Sequence, residues 1–320
     1  MVLAKETAAV LEVVSQGLDQ GRVEEIKFDL ALFTNLVPDH LDYHQTMEAY
    51  AAAKRKLFRK AKFGIFNADD PWTSFMREDR EGMTFGFSEW ANVRAKDLSF
   101  HANGAAFTVE YEGQQHRFST SMIGKFNVMN LLGVITVGLH LGEGLEKIAS
   151  IFSIIPRIPG RLERVDNDSG IQIFVDFSHM GAALENVLSA LREVAPQRIL
   201  VVFGCGGDRG SERKKELALA AEKGADVAII TSDNPRTEDP NAICRDVGSY
   251  FQDPSKAHIE VDRRRAIHLS IQLAKPGDIV LIAGKGHEQT QTIGSRIFPF
   301  DDRLVAKEAL QMRKNSAILS

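Results

Sequence analysis

The sequence predicts an α/β protein whose second half is a doubly wound, mostly parallel sheet. Three observations carry this. First, four short runs are apolar throughout and rich in β-branched residues: Ile171 to Val175, Ile199 to Phe203, Val227 to Thr231 and Ile279 to Ala283. Strands apolar on both faces belong to sheets covered on both sides, which are mostly parallel. Second, the stretches between them have a helical period, as where Leu184, Val187, Leu188 and Leu191 fall at i, i+3, i+4 and i+7. Third, polar and glycine residues follow each strand: Asp176 and His179, Gly204 to Arg209, Asp233 to Arg236, and Gly284 to Glu288. Ligands collect at the C-terminal strand ends of such sheets. The four ends are expected to converge on one polar site, with Arg209, Arg236 and Lys285 as its anion-binding cations.

The first half yields its elements in order. Glu12, among the apolar residues of Leu11 to Leu18, reads as a carboxylate at a strand end, either a metal ligand or an ordinary edge charge. Phe28 to Thr34 (FDLALFT) reads as a buried strand. The following TNLVPDHLDYH places Asp39, His40, Asp42 and His44 within six residues. That set suits a metal, and oxygen-rich surroundings favour Mg²⁺ over zinc. The competing reading is a helix start capped by Asp39 or Asp42. Met47 to Lys60 reads as a helix, with Lys54, Lys56, Arg59 and Lys60 as a solvated basic face. Phe63 to Asn67 is a second strand. Ala105 to Tyr111 and Gln115 to Thr120 alternate around Glu112–Gly113 and read as a hairpin. Asn127 to Leu141 is an apolar helix. The Gly/Pro cluster from Pro156 to Gly160 marks the main boundary, giving domains 1–158 and 159–320.

Composition excludes several classes. The chain has 320 residues, 44% hydrophobic and 26% charged, with a formal net charge of -4 and no concentrated basic stretch. Nucleic acid and an anionic membrane surface are therefore not expected as partners. Two cysteines, Cys205 and Cys244, are too few for a disulfide framework or a zinc site, and a reducing cytoplasm fits. No apolar run approaches the roughly 20 residues of a membrane helix, and Met1 to Val14 carries no cleavable signal pattern. The turn Gly204 to Arg209 suits anion binding through backbone amides, but it lacks the GxGxxG spacing, which argues against a nicotinamide dehydrogenase. Nor does GxxxxGK[ST] occur. Asp233–Asn234–Pro235–Arg236 is either a plain turn or a guanidinium placed to take a carboxylate bidentately.

Taken in order, ten strings resemble the Mur ligases: TNLVPDHLDYH, MEAYAAAK, NADDP, GKFNVMN, PGRLE, VDFSH, VFGCGGDR, SDNPR, AGKGHE and PFDDR. The resemblance runs from about Leu11 to about Leu310, and is strongest to the branch of the family that adds meso-diaminopimelate. It implies a truncated central ATPase-type domain followed by a doubly wound, Rossmann-like C-terminal domain that binds the amino acid. It also implies an ADP-forming amide-bond ligase of peptidoglycan synthesis. ATP converts a carboxylate of the UDP-linked muramoyl dipeptide to an acyl phosphate, and the amine of meso-diaminopimelate then displaces phosphate.

By the same resemblance, Glu12 and His40 bind Mg²⁺ together with Lys54, which matches the family's carbamylated lysine, and these three join His179 as catalytic residues. Asn127 and Asn130 match adenine-contacting positions, and Arg161 and Asp176 match positions at the nucleotide's phosphate and ribose. Gln20 and Arg22 match residues that hold the UDP-sugar. Arg209, Asp233, Asn234, Arg236, Gly284 and Glu288 match the amino-acid pocket. Arg236 favours diaminopimelate, whose far end carries a carboxylate, over lysine, whose far end carries only a cation.

The family's N-terminal uridine-binding domain and its GKT phosphate loop have no counterpart in these residues. The resemblance therefore leaves an open sheet edge near Glu12, and a missing segment that another chain would supply. Val14 stands where the family has a substrate-binding Ser, Pro38 where it has Arg, and Gln289 where it has an acidic residue. A second reading is therefore a non-catalytic descendant that retains the amino-acid site. A lysine-adding enzyme or a folylpolyglutamate synthase is a third, and Arg236 and the motif series weigh against these.

Overall fold

A computed structural model describes residues 7–101, 103–152, 154–155, 157–195 and 197–319, with Met1 to Glu6 and Pro156 of the boundary cluster outside them. The described residues form two compact units. Among the described residues, one draws on those within 7–99, 106–119 and 127–152, the other on those within 100–105, 120–126 and 154–319.

The chain to residue 152 runs α1 (Ser15–Asp19), β1 (Phe28–Phe33), α2 (Leu41–His44), α3 (Met47–Lys60), β2 (Ala61–Asn67), α4 (Thr73–Arg77), β3 (Gly82–Gly86), β4 (Val93–His101), β5 (Gly104–Tyr111), β6 (Gln114–Thr120), α5 (Lys125–His140) and α6 (Leu145–Phe152). Its sheet has the order β1-β2-β3-β4-β5-β6, and β1 to β4 are parallel. The turn between β5 and β6 has positive φ at both Glu112 and Gly113. That is the geometry of a two-residue hairpin loop whose twist matches its strands. On α5, Gly133 lets the helix close onto Leu32 and Phe85 of the sheet.

Three expectations for this half need correction. Residues 8–14 form no strand, and Glu12 is exposed. Pairing, not local sequence, makes a strand, and no described strand lies beyond β1. For the same reason β1 is an edge strand, only partly buried rather than enclosed. Neither Asp39 nor Asp42 caps a helix. His40 takes the N-cap of α2 in a left-handed conformation without a side-chain cap bond, and Thr46 caps α3 by accepting from the Ala49 amide.

The C-terminal unit follows the predicted pattern: β7 (Glu163–Val165), β8 (Gln172–Asp176), α7 (Gly181–Val194), β9 (Ile199–Phe203), α8 (Ser211–Gly224), β10 (Val227–Ile230), α9 (Pro240–Ser249), β11 (Ala257–Ile259), α10 (Arg263–Leu273), β12 (Ile279–Ala283), β13 (Thr290–Ile293), β14 (Arg296–Pro299) and α11 (Asp302–Leu319). The sheet order is β11-β10-β9-β12-β8-β7, parallel except for β7, which runs antiparallel to β8. Strand periodicity divides the core. Ile199, Val201 and Phe203 of β9 pack with α7, α8 and α9, while Leu200 and Val202 pack with α10 and α11. Each of these fully buried side chains contributes about 1.5–3 kcal/mol. Between the layers, Arg263 and Asp302 form a fully buried bidentate ion pair, at 2.8 and 2.7 Å. Arg263 also donates to the Ala283 carbonyl at 3.0 Å, tying α10 and α11 to the end of β12.

Candidate functional site

The C-terminal ends of β9, β10 and β12 surround a cavity of about 150 Å³. Arg209, Asp233, Asn234, Arg236, Gly284 and Glu288, six positions expected to bind one amino acid, all line it, and His179 joins them. Glycines make the approach of the loops possible. A Cβ on Gly207 would collide with the Pro235 carbonyl, and one on Gly204 with the Thr231 carbonyl. Gly284, at φ +113°, faces Asp233 so closely that any side chain there would strike the carboxylate.

The cavity is electrostatically divided. Asp233 is 7% exposed, and its Oδ2 has no hydrogen-bond partner among the described residues. Burial pushes its carboxyl above the usual range, although Arg263 and Lys285 pull the other way. Asn234 donates to Glu288 Oε2 at 3.0 Å. Burial raises the Glu288 carboxyl, but bonds from Lys285 and Asn234 outweigh it and hold the group below its ordinary value. Arg236 adopts a left-handed φ of +50° and donates through Nη1 to the Gly207 carbonyl at 2.6 Å, which aims the guanidinium along the cavity wall.

Lys285 does not act as expected. It is fully buried, donating to Asn234 Oδ1 at 3.2 Å and to Glu288 Oε2 at 2.8 Å. A lysine taken out of water needs such partners, so it neutralises Glu288 instead of receiving an anion. The sequence reading missed two lining residues, Phe177 and Arg213. The signal for Arg213 was the basic run at the start of α8, but its members have different fates. Lys214 is buried against Glu238 and Asp246, Lys215 is exposed, and only Arg213 lines the cavity. Helix phase against the sheet decides among them.

Arg161 and Asp176 lie close by. The Arg161 guanidinium sits over the Phe177 ring at 5.0 Å. Asp176 accepts from the backbone amides of Leu162 at 2.7 Å and Ser178 at 2.8 Å. Its carboxylate thus braces the loop before β7 and the turn after β8. His179 has Nδ1 2.9 Å from the Phe177 carbonyl. Because a carbonyl only accepts, Nδ1 carries the proton and Nε2 is left for other partners.

In the first unit two of the three expected metal ligands, His40 and Lys54, lie at Tyr50, whereas Glu12 is exposed. The Lys54 amine lies 5.3 Å from the centre of the Tyr50 ring, and the His40 ring stands edge-on to it at 6.1 Å. Lys54 is not a solvated surface charge. Burial lowers its pKa, against the opposing pull of the Glu12 and Asp39 carboxylates. His44 is stacked on the same Tyr50 ring at 5.3 Å and bonded to Ser15 Oγ at 2.9 Å. Among the described residues no three His, Cys, Asp or Glu side chains cluster as a metal cage. Gln20 and Arg22 are exposed beyond α1, with Gln20 3.4 Å from the Tyr43 hydroxyl. On α5, Asn127 is buried and Asn130 exposed.

Two family profiles account for most of the chain. The Mur ligase middle domain matches residues 1–138, and the Mur ligase glutamate ligase domain matches residues 160–286. This chain belongs to the Mur ligase family. Among curated Mur ligases it is similar to the UDP-N-acetylmuramoyl-L-alanyl-D-glutamate–2,6-diaminopimelate ligases of Geobacillus kaustophilus and Xanthomonas oryzae pv. oryzae. The first is 41% identical over 315 residues, covering 95% of this chain and 64% of the relative. The second is 42% identical over 315 residues, covering 96% and 64%. A solved structure of a ligase of the same name aligns at 34% identity with a TM-score of 0.67, over 95% of this chain and 64% of that one. The MurF ligase of Thermotoga maritima in complex with ADP aligns at 18% identity with a TM-score of 0.70, over 91% and 64%, and shows the shared Mur ligase fold. The chain thus spans about 64% of the length of these relatives. Among the described residues, no helix is long and apolar enough to cross a membrane.

Proposed function

We propose that this Mur ligase chain works in ATP-dependent addition of meso-diaminopimelate to UDP-N-acetylmuramoyl-L-alanyl-D-glutamate. Residues 1–158 would form its nucleotide and metal domain and residues 159–320 its amino-acid domain. The observation that carries this reading is the single cavity lined by Arg209, Arg236, Asp233 and Glu288. A diamine with a carboxylate at each end needs guanidinium for its far carboxylate and a carboxylate for its far ammonium. Arg236 and Arg209 answer the first need, and Asp233, with one bare buried oxygen, answers the second. Lysine offers a cation but no far carboxylate, so the two guanidiniums would face it unpaired.

The reaction joins an amine to a carboxylate that ATP has activated as an acyl phosphate. The amine attacks the acyl carbon, a C–N bond forms, and phosphate leaves with the electron pair of the broken C–O bond. The protein's share is alignment and charge neutralisation. In this reading Asn127 and Asn130 hold adenine, Arg161 serves the phosphates, and Gln20 and Arg22 hold the UDP-sugar. Asp176, with both oxygens on backbone amides, serves the nucleotide by fixing loops.

In this reading the metal is Mg²⁺, held by the first unit. Glu12, His40 and Lys54 would hold it, where it would neutralise phosphate charge. A lysine amine reacts with carbon dioxide only when unprotonated, and burial shifts Lys54 toward that form. The resulting carbamate would supply an anionic oxygen in place of a cation.

The test is release of ADP and phosphate by the chain, dependent on both meso-diaminopimelate and the UDP-muramoyl dipeptide. Absence of product together with absence of meso-diaminopimelate binding in calorimetry would overturn the reading, and lysine outcompeting diaminopimelate would overturn the choice of amino acid. A second reading, a binding protein that keeps the cavity without ligation, draws on Val14, an exposed apolar side chain where the family has a substrate-binding Ser. Diaminopimelate binding with no nucleotide binding would favour it.

A further inference from the structure

Arg236 is held in place from behind by a hairpin that takes no part in the cavity wall. The hairpin pairs β13 with β14 antiparallel, and β14 is exposed along its length. Its inner strand grips the Asp233–Arg236 turn at successive points. Gln291, 7% exposed, donates through Nε2 to the Asp233 carbonyl at 2.7 Å and lies 3.4 Å from Ser232 Oγ. The Thr292 amide donates to Asn234 Oδ1 at 2.9 Å. The Arg236 amide donates to the Thr292 carbonyl at 3.3 Å, and the Gly294 amide donates to the Arg236 carbonyl at 2.7 Å. Arg236 and Ile293, the last residue of β13, thereby form an isolated parallel bridge.

These contacts answer a physical problem. Arg236 has a φ of +50°, a conformation that a side chain with a Cβ disfavours. Left alone, the turn would relax to negative φ and swing the guanidinium away from the Gly207 carbonyl. Bonds to both the amide and the carbonyl of Arg236 oppose that relaxation. Gln291 fixes the start of the same turn. Its hydrogen bonds go to main chain and to a neighbouring serine, and it is not among the residues that line the cavity of Arg236.

We infer that the β13–β14 hairpin is a specificity-determining element, with Gln291 as its positioning residue. It sets the direction in which Arg236 meets the far carboxylate of the amino acid. The inference rests on the diaminopimelate reading for its ligand, but not for its geometry. Gln291→Leu keeps nearly the same volume and removes the donor. In the 320-residue chain, thermal unfolding first establishes that this variant folds. Calorimetric titration with meso-diaminopimelate and with L-lysine then follows.

The expected result is about tenfold or greater weakening for meso-diaminopimelate, the scale of a lost buried hydrogen bond, with lysine binding changed by less than about threefold on the same scale. An unchanged affinity for meso-diaminopimelate in the folded variant, or equal losses for both ligands, overturns the inference. Amide hydrogen exchange on the unmutated chain decides the geometry independently. Slow exchange at Arg236 and Gly294 supports the hairpin's hold on the turn, and exchange as fast as an open loop overturns it. Should the unmutated chain bind neither amino acid, the diaminopimelate reading falls, and the exchange measurement still decides whether the hairpin positions Arg236. Should Gln291→Leu fail to fold, the same measurement decides.

Discussion

Asp233 lies inside the C-terminal unit with one carboxylate oxygen bare of partners among the described residues. Its carboxyl keeps its proton to a higher pH in the folded chain than in the unfolded one, where the value is near 3.8. The folded state therefore binds more protons across that interval, and stability falls as pH rises through it. Asp233→Asn is expected to flatten this fall while abolishing the pairing with an ammonium. Urea midpoints measured from pH 4 upward in both proteins check the first part, and a parallel course would refute it. Arg236 makes the converse contribution. Arg236→Ala removes charge-assisted bonds of about 1.5–3 kcal/mol, so meso-diaminopimelate affinity should fall by about 10- to 150-fold with little change in the melting temperature. Calorimetry and thermal unfolding together separate the two effects. Arg236 was legible as a candidate from DNPR alone. Lys285 was misjudged, because nothing local reveals that its amine is fully buried against Glu288 and Asn234.

Two elements decide whether the sites exist in working form. Helix α3 carries Lys54, and its first turn is capped by Thr46, which accepts from the Ala49 amide at 3.1 Å. Thr46→Ala should lower stability by about 1 kcal/mol, read as a shift in the urea midpoint at constant slope. The loop after β9 carries Arg209, and its Gly207 lies against the Pro235 carbonyl with no room for a Cβ. Gly207→Ala should displace this loop and remove amino-acid binding, whereas Gly210→Ala, with open space around the added methyl, should be neutral. Equal binding by the two variants would show that the close approach is not needed. At this scale β8, β9, β10 and β12 were readable because burial on both faces leaves unbroken apolar runs, whereas β7, β11 and the β13–β14 hairpin were passed over. β3 and β4 were passed over. Gly82 to Gly86 is short, and Val93 to His101 alternates buried and exposed positions with charges between.

At the scale of the whole chain, stability rests on separate cores in two units, and the second contains a buried charge pair. Arg263 and Asp302 are 39 residues apart in sequence and wholly removed from water. Breaking such a pair leaves one charge unpaired, so Asp302→Ala should destabilise the C-terminal unit by about 3–5 kcal/mol. Replacing both partners by apolar residues should cost far less, and equal losses for the single and double variants in urea unfolding would contradict this account. What the sequence determined by itself was the α/β class, the four central strands of the second half, the residues at their C-terminal ends and the family they spell out. These follow from local periodicity and from side-chain types that chemistry requires. What only the tertiary structure decided was which charges are spent internally. Lys285 turned toward Glu288, Asp176 was taken up by backbone amides, Glu12 was left exposed, and the β13–β14 hairpin was set behind Arg236. Hydrogen bonds and burial between residues distant in sequence depend on how elements pack, and no local pattern records that.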